Sequence, residues 1–153
     1  MRKFSRMILP CLMLLICAAP RMRAQYVSAN IVPDAARMQP DQLRTLLKSN
    51  HAPLVLQVGS HLLFQEAHIP GSKYAGPGSQ ESGLKALQQA VSSLPKSHAV
   101  VLYCGCCPWD RCPNIGPAWQ RLHQMGYSNV KVLYLPNNFG DDWAARGYPT
   151  ERQ

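Results

Sequence analysis

The sequence has no hydrophobic stretch long enough to cross a membrane as a helix. Its longest apolar run, from Met7 to Ala19, is shorter than the roughly 20 residues that a membrane span requires. Basic residues including Lys3 and Arg6 precede this run, and small residues follow it. This layout is typical of a secretory signal peptide. We therefore predict that residues 1–24 are removed, that the protein is exported to a periplasmic or extracellular compartment, and that no stable membrane insertion remains.

Acidic residues are also scarce, because the chain has 8 Asp and Glu against 16 Lys and Arg, a formal net charge of +8. Five of the basic residues and none of the acidic ones fall in residues 1–24. The rest of the chain holds eleven basic and eight acidic residues, a net charge of only +3. Since much of the positive charge belongs to the export signal, we expect no nucleic-acid partner.

The chain lacks internal repeats and low-complexity tracts, and its 153 residues suggest a single domain. We predict a poorly ordered N-terminal lead-in over residues 25–39 and one folded domain over residues 40–150. Apolar residues at helical spacing predict helices over residues 40–48, 84–94 and 115–125, with a short closing helix and turn over 139–148.

Short apolar runs predict three strands, over residues 54–58, 99–103 and 130–135. The Gly, Ser and Pro residues between Gly59 and Gly83 predict mainly loop. Strands that alternate with helices, and strand runs that are continuously apolar, favour a parallel sheet covered on both faces. The predicted fold class is therefore α/β, a three-layer domain with a central parallel sheet flanked by helices.

After residue 24, cysteine occurs in one segment only. The four cysteines there lie between the predicted strand over residues 99–103 and the predicted helix over residues 115–125: Cys104, Cys106, Cys107 and Cys112. In α/β sheets, ligands bind in the loops that follow the carboxyl ends of strands. We call residues 104–114 the cysteine loop and predict that it carries the chemistry of the protein.

Cys104 is the first candidate nucleophile, because it directly follows a predicted strand. With Asn114 as N-cap, Pro117 falls at the third helical position, where proline is tolerated. The free N–H groups at that helix start are expected to lower the pKa of the Cys104 thiol. Arg111 adds a positive charge and paired donors for an oxyanion.

Three other interpretations of the cysteine loop stay open. The first is a local disulfide, between Cys107 and Cys112 or between Cys106 and Cys112. The second is a soft metal such as zinc or copper(I), although the spacing C-x-C-C-x4-C matches no common zinc motif. The third is thiol–disulfide exchange, although the loop lacks the usual C-x-x-C spacing.

Three stretches of the chain resemble the motifs of one known domain family. Residues 68–72, HIPGS, resemble the family's HIPGA turn, and residues 100–104, VVLYC, resemble its strand ending in YC. Residues 125–133, followed by Trp143 and Gly147-Tyr148-Pro149, resemble its ending GY-x-NV-x-xL, W-x-x-x-GYP. On these motifs the chain resembles the rhodanese-like domains and is similar to their single-domain exported members, with an enlarged cysteine-rich active-site loop.

This resemblance implies sulfane-sulfur transfer through a cysteine persulfide on Cys104, from a donor such as thiosulfate to a thiol or cyanide acceptor. It implies a small sulfur-containing anion and a thiol acceptor as partners, and no cofactor or metal. The residues expected to bind substrate are Gly105, Cys106, Cys107, Trp109 and Arg111. The residues expected to resolve the persulfide or to pair in a disulfide are Cys107 and Cys112.

The sequence departs from the family pattern in the enlarged loop and at two further positions. Gln57-Val58-Gly59 replaces the usual acidic and basic pair after the first strand, and Ala67 replaces the glycine before His68. Two alternatives therefore stay open: Cys106 or Cys107 as the reactive sulfur, and a scaffold that binds a metal or partner without catalysis. We interpret His68 as holding its turn and not as an acid or base.

Overall fold

The computed structural model describes residues 31–153, so the predicted signal peptide and residues 25–30 of the predicted lead-in lie outside it. The strands are β1 (Arg37–Met38), β2 (Leu54–Gln57), β3 (Lys73–Tyr74), β4 (Val100–Tyr103) and β5 (Val130–Leu133). The helices are α1 (Pro40–Leu46), α2 (His61–Glu66), α3 (Glu81–Val91), α4 (Ile115–Gln124) and α5 (Phe139–Asp142). Short 3-10 turns span Asp34–Ala36, Trp109–Arg111 and Ala144–Arg146.

The five strands form one sheet in the order β1-β5-β4-β2-β3, and every pairing is parallel. β4 lies at the centre of this sheet, with Gln57 at the end of β2 opposite Tyr103 at the end of β4. The strand ends therefore lie at a common edge of the sheet, and the cysteine loop leaves from the middle of that edge.

All four residues of β4 are buried, and they alternate between two cores. Val100 and Leu102 pack in one core with residues of α3 and α4, such as Leu87 and Leu122. The other two residues of β4 pack in the opposite core with Leu43 of α1 and with Phe139 and Trp143. The predicted three-layer α/β fold is therefore confirmed, because helices cover both faces of the parallel sheet.

The prediction of mainly loop between residues 59 and 83 is wrong, because α2, β3 and the first turn of α3 lie there. The side chain of Ser60 accepts a hydrogen bond from Leu63 N and starts α2. Leu62 and Leu63 are exposed whereas Phe64 is buried, so α2 shows no helical apolar spacing in the sequence. β3 has only two residues, too few for a recognisable pattern.

β1 lies inside the predicted lead-in, where Arg37 and Met38 pair with β5. The folded part of the chain therefore begins before residue 40. Within residues 31–153, no helix is both long and apolar enough to span a membrane.

Candidate functional site

The start of the cysteine loop is held by the neighbouring strand. The buried amide of Gln57 donates from Nε2 to the carbonyl oxygens of Cys104, at 3.2 Å, and Ser60, at 3.3 Å. Its Oε1 accepts a hydrogen bond from Gly59 N at 3.1 Å. The neutral glutamine that departs from the family pattern thus joins the two loops, which sequence reasoning missed because the partners are 47 residues apart.

Gly59 allows the backbone to pass close to Cys104, and Gly105 allows it to pass close to Phe139. A Cβ atom at Gly59 would lie 2.8 Å from Cys104 Sγ, and one at Gly105 would lie 2.6 Å from the Cβ of Phe139. Gly105 also has a positive φ of 74°, which glycine adopts without steric cost. The tight turn at Gly105 brings the two flanking cysteines onto the same side of the loop.

The four thiols are free and form one cluster. Cys104 Sγ lies 3.0 Å from Cys106 Sγ, which lies 3.4 Å from Cys107 Sγ. The sulfurs of Cys104, Cys107 and Cys112 all lie within 4.8 Å of one another. Cys104 therefore belongs both to a close pair with Cys106 and to a triangle of sulfurs with Cys107 and Cys112.

Asn114 is the N-cap residue of α4, as predicted, but its side chain makes no capping hydrogen bond to the helix. The side chain contacts cysteine sulfurs instead. Its buried Nδ2 donates to Cys104 Sγ at 3.4 Å and lies 3.8 Å from Cys106 Sγ. Its Oδ1 accepts from Ser79 N at 3.1 Å. Pro117 occupies the third position of α4, as predicted.

The prediction of a lowered pKa for Cys104 is wrong. The neighbouring thiol of Cys106, then those of Cys107 and Cys112, and burial all raise the pKa of Cys104 well above its ordinary value. The hydrogen bond from Cys104 lowers the pKa of Cys106 to about 6. Cys112 has a pKa of about 7, lowered first by Cys104 and then by backbone N–H groups at the start of α4. The helix start therefore acts on Cys112.

A cavity of about 390 Å³ opens in front of Cys104. Its floor includes Tyr103, Cys104, Gly105 and Cys106, and its walls include residues of α2 and α5. Burial raises the pKa of Tyr103 to about 12, so its hydroxyl is neutral. Such a volume is in the range of small-molecule sites, and its lining is mostly apolar apart from the sulfurs and a few polar groups.

The other predicted site residues lie away from this cavity. Trp109 is buried, with its ring 5.0 Å from that of Tyr134 and 5.2 Å from the Arg37 guanidinium. Arg111 is exposed on the adjacent 3-10 turn. Cys107 and Cys112 lie on the inner side of the loop with Trp109. Substrate binding by Cys107, Trp109 and Arg111 stays a prediction, as does resolution by Cys107 or Cys112.

His68 belongs to a separate structural cluster. Its Nδ1 lies 2.7 Å from the carbonyl oxygen of Phe64, and its Nε2 lies 3.1 Å from Glu151 Oε1. Backbone hydrogen bonds at 3.0 Å join His68 to Glu151 in both directions, and Gly71 N donates to Glu151 Oε1. We call Phe64, His68, Gly71 and Glu151 the His68 clasp. These contacts show that His68 holds its turn against Glu151, and its lack of a role as acid or base stays a prediction.

Solved structures with this fold show what the chain is similar to. The Alr3790 protein from Anabaena sp. is 22% identical, with 76% of this chain and 82% of that chain covered and a TM-score of 0.58. A thiosulfate sulfurtransferase from Pseudomonas aeruginosa is 23% identical, with a TM-score of 0.58, over 79% of this chain but only 20% of that one.

A third solved structure, EanB with a cysteine persulfide and ergothioneine, is 22% identical with a TM-score of 0.55. The match covers 76% of this chain and 28% of EanB. No curated protein sequence matches the chain. At these identities the solved structures show the fold alone.

The family itself is shown by the sequence. Residues 39–134, which are more than half of the chain, match the model of the rhodanese-like domain. This match contains the parallel sheet from β2 to β5, the cysteine loop and the cavity floor. The chain belongs to the rhodanese-like domain family.

Proposed function

We propose that this chain is a sulfurtransferase or persulfide carrier in which Cys104 holds the transferred sulfur. The observation that carries the proposal is the position of Cys104 at the end of the central strand, on the floor of a cavity of small-molecule size. Two similar solved structures support it: one is named as a thiosulfate sulfurtransferase, and the other is EanB with a persulfide on a cysteine.

The reaction begins when the Cys104 thiol loses its proton, for which Cys106 Sγ at 3.0 Å is an acceptor. The Cys104 thiolate then attacks the outer sulfur of a donor such as thiosulfate. The S–S bond of the donor breaks, sulfite leaves with the electron pair, and Cys104 becomes a persulfide. Asn114 Nδ2 donates a hydrogen bond to Cys104 Sγ, the atom that forms the new S–S bond.

In the second half of the reaction, an acceptor thiolate or cyanide attacks the terminal sulfur of the persulfide. The Cys104 thiolate leaves and the protein returns to its starting state. The proposed partners are therefore a small sulfur-containing anion and a thiol acceptor. We place this reaction in the periplasm or outside the cell, which the pattern of residues 1–24 supports.

The test is to mix the reduced protein with thiosulfate and to measure sulfite release together with the intact mass. We expect one sulfite per chain and a mass gain of one sulfur, and we expect Cys104→Ser to lose both. Circular dichroism checks that the variant is folded. Sulfite release by folded Cys104→Ser at the wild-type rate would contradict the assignment of Cys104.

Metal binding is the second candidate function, because three sulfurs, two of them on buried cysteines, meet in one site. Cys104, Cys107 and Cys112 lie within 4.8 Å of one another, and three thiolates favour a soft ion such as copper(I) or zinc. Metal analysis of the anaerobically reduced protein tests this function. Stoichiometric metal that disappears in Cys112→Ser would favour binding, whereas a metal-free protein that takes up sulfur would exclude it.

A further inference from the structure

Cys106 is the cysteine that the enlarged loop brings against the proposed sulfur carrier. Its Sγ lies 3.0 Å from Cys104 Sγ, and the turn at Gly105 between them has a φ of 74°. A disulfide has an S–S distance of about 2.05 Å, so a movement of about 1 Å would join the two sulfurs. The Cys104–Cys106 pair is therefore placed for bond formation within one short turn.

Cys106 also faces the cavity, unlike the other two cysteines. Cys104 and Cys106 both line the cavity, whereas Cys107 and Cys112 contact the crevice beneath the loop. Cys106 is half-buried, so it stays close to Cys104 while the cavity is open to a donor. Asn114 Nδ2 lies within reach of both sulfurs, at 3.4 and 3.8 Å, and holds them on the same side.

We propose that Cys106 resolves the persulfide on Cys104, so that the sulfane sulfur leaves as hydrosulfide and the protein is left with a Cys104–Cys106 disulfide. This inference rests on the proposed function, because it needs the Cys104 persulfide. It adds a second step within the protein, and it assigns the resolving role to a residue for which the sequence predicted substrate binding.

The step balances in atoms and electrons. Cys106 passes the proton that it took from Cys104 to the outer sulfur of the persulfide, and the Cys106 thiolate attacks Cys104 Sγ and forms the new S–S bond. The bond between Cys104 Sγ and the outer sulfur breaks, and the outer sulfur leaves as hydrosulfide with the electron pair. The two cysteines are oxidised by two electrons, and the sulfane sulfur is reduced by two. An external dithiol then reduces the disulfide by thiol–disulfide exchange before the next turnover.

The test uses the reduced wild-type protein and one equivalent of thiosulfate, without oxygen and without any added thiol. Sulfite and hydrosulfide are measured together, and the products are mapped by mass spectrometry. We expect one sulfite and one hydrosulfide per chain from the wild type. We expect Cys106→Ser to release one sulfite, more slowly because Cys104 loses its proton acceptor, to release no hydrosulfide, and to keep the extra sulfur as a stable persulfide.

The chain offers a simple map of the disulfide. Arg111 separates Cys112 from the other three cysteines, so trypsin leaves them in different peptides, with the three in residues 97–111. A Cys104–Cys106 bond stays within one peptide, whereas any bond to Cys112 links two. Cys107→Ser distinguishes Cys106 from its neighbour Cys107: whatever its rate of sulfite release, we expect this variant to release one hydrosulfide for each sulfite.

The outcomes separate this inference from the proposed function. A wild-type protein that releases sulfite but keeps a stable persulfide would overturn the role of Cys106 and leave the proposed function standing. Hydrosulfide release by Cys106→Ser at the wild-type rate, sulfite release without hydrosulfide by Cys107→Ser, or a disulfide to Cys112 would also overturn it. No sulfite from any form would remove the proposed function and the inference together.

Discussion

The cysteine loop and the His68 clasp are two polar clusters packed against the same sheet, and they differ in how their polar groups are satisfied. In the clasp, both ring nitrogens of His68 lie within hydrogen-bond distance of oxygen atoms, and Glu151 closes the chain against the turn. In the cysteine loop, the sulfurs have mainly one another and one amide as partners. Strong, fixed partners give stability, whereas weak sulfur contacts leave the thiols able to react.

Two glycines with the same backbone angle offer the sharpest way to break this comparison. Gly105 and Gly71 both have a φ of 74°. A Cβ at Gly105 would meet Phe139 Cβ at 2.6 Å, whereas a Cβ at Gly71 would meet nothing within 4 Å. We expect Gly105→Ala to lower the free energy of unfolding by about 2–4 kcal/mol, from the backbone angle and the overlap together.

Gly71→Ala is the matched control, and we expect it to cost only about 1 kcal/mol for the backbone angle. Urea unfolding measures both variants. Sulfite release from thiosulfate should be lost in Gly105→Ala and kept in folded Gly71→Ala. Equal losses of stability in the two variants would show that contact with Phe139 does not restrict the cysteine loop.

His68→Ala tests whether the His68 clasp stabilises the fold without taking part in sulfur uptake. The substitution removes contacts to Phe64 and Glu151 from a side chain that is 5% exposed, so we expect a loss of about 1–3 kcal/mol in the free energy of unfolding. Sulfur uptake per folded chain should be unchanged, because His68 does not line the cavity in front of Cys104. A folded His68→Ala protein without sulfur uptake would place the clasp in the reaction.

Asn114 contacts both the backbone of Ser79 and the sulfur of Cys104, so its variants separate an effect on stability from an effect on sulfur uptake. We expect Asn114→Ala to cost about 1–2 kcal/mol, because Ser79 N loses its acceptor, and to slow sulfur uptake, because Cys104 loses its amide donor. Asn114→Asp keeps an acceptor for Ser79 but places a carboxylate beside the thiols. It should restore much of the stability and leave uptake slow, as measured by unfolding and by sulfite release.

The smallest expected effect is on the pH dependence of Cys106 alkylation. Because the pKa of Cys106 is about 6, the rate at which iodoacetamide alkylates Cys106, measured at that residue by mass spectrometry, should rise through pH 6 and level off above it. Below pH 6 the thiol is protonated and reacts slowly. Cys106→Ser should remove this step from the pH profile, and a profile that rises only near pH 8–9, the range of an ordinary thiol, would contradict the lowered pKa.

The elements that the sequence predicted are those whose pattern is local. β4 is a continuous apolar run, and α4 begins at Asn114 and accepts Pro117 in its first turn, so both were recognisable. α2 was missed, because it is short, begins with a side-chain cap and buries only Phe64. β1 and β3 have two residues each, and they exist as strands because neighbouring strands pair with them.

For the candidate site, the sequence by itself determined the family, the position of the cysteines after a buried strand, and Cys104 as the residue that matches the sulfur carrier. Only the tertiary structure decided that Cys106 is the sulfur against Cys104, that Gln57 and Asn114 hold the loop, and that Arg111 lies outside the cavity. The reason is physical: periodicity and turn residues act between near neighbours in the chain, whereas sulfur distances, burial and thiol pKa values depend on segments that only folding brings together.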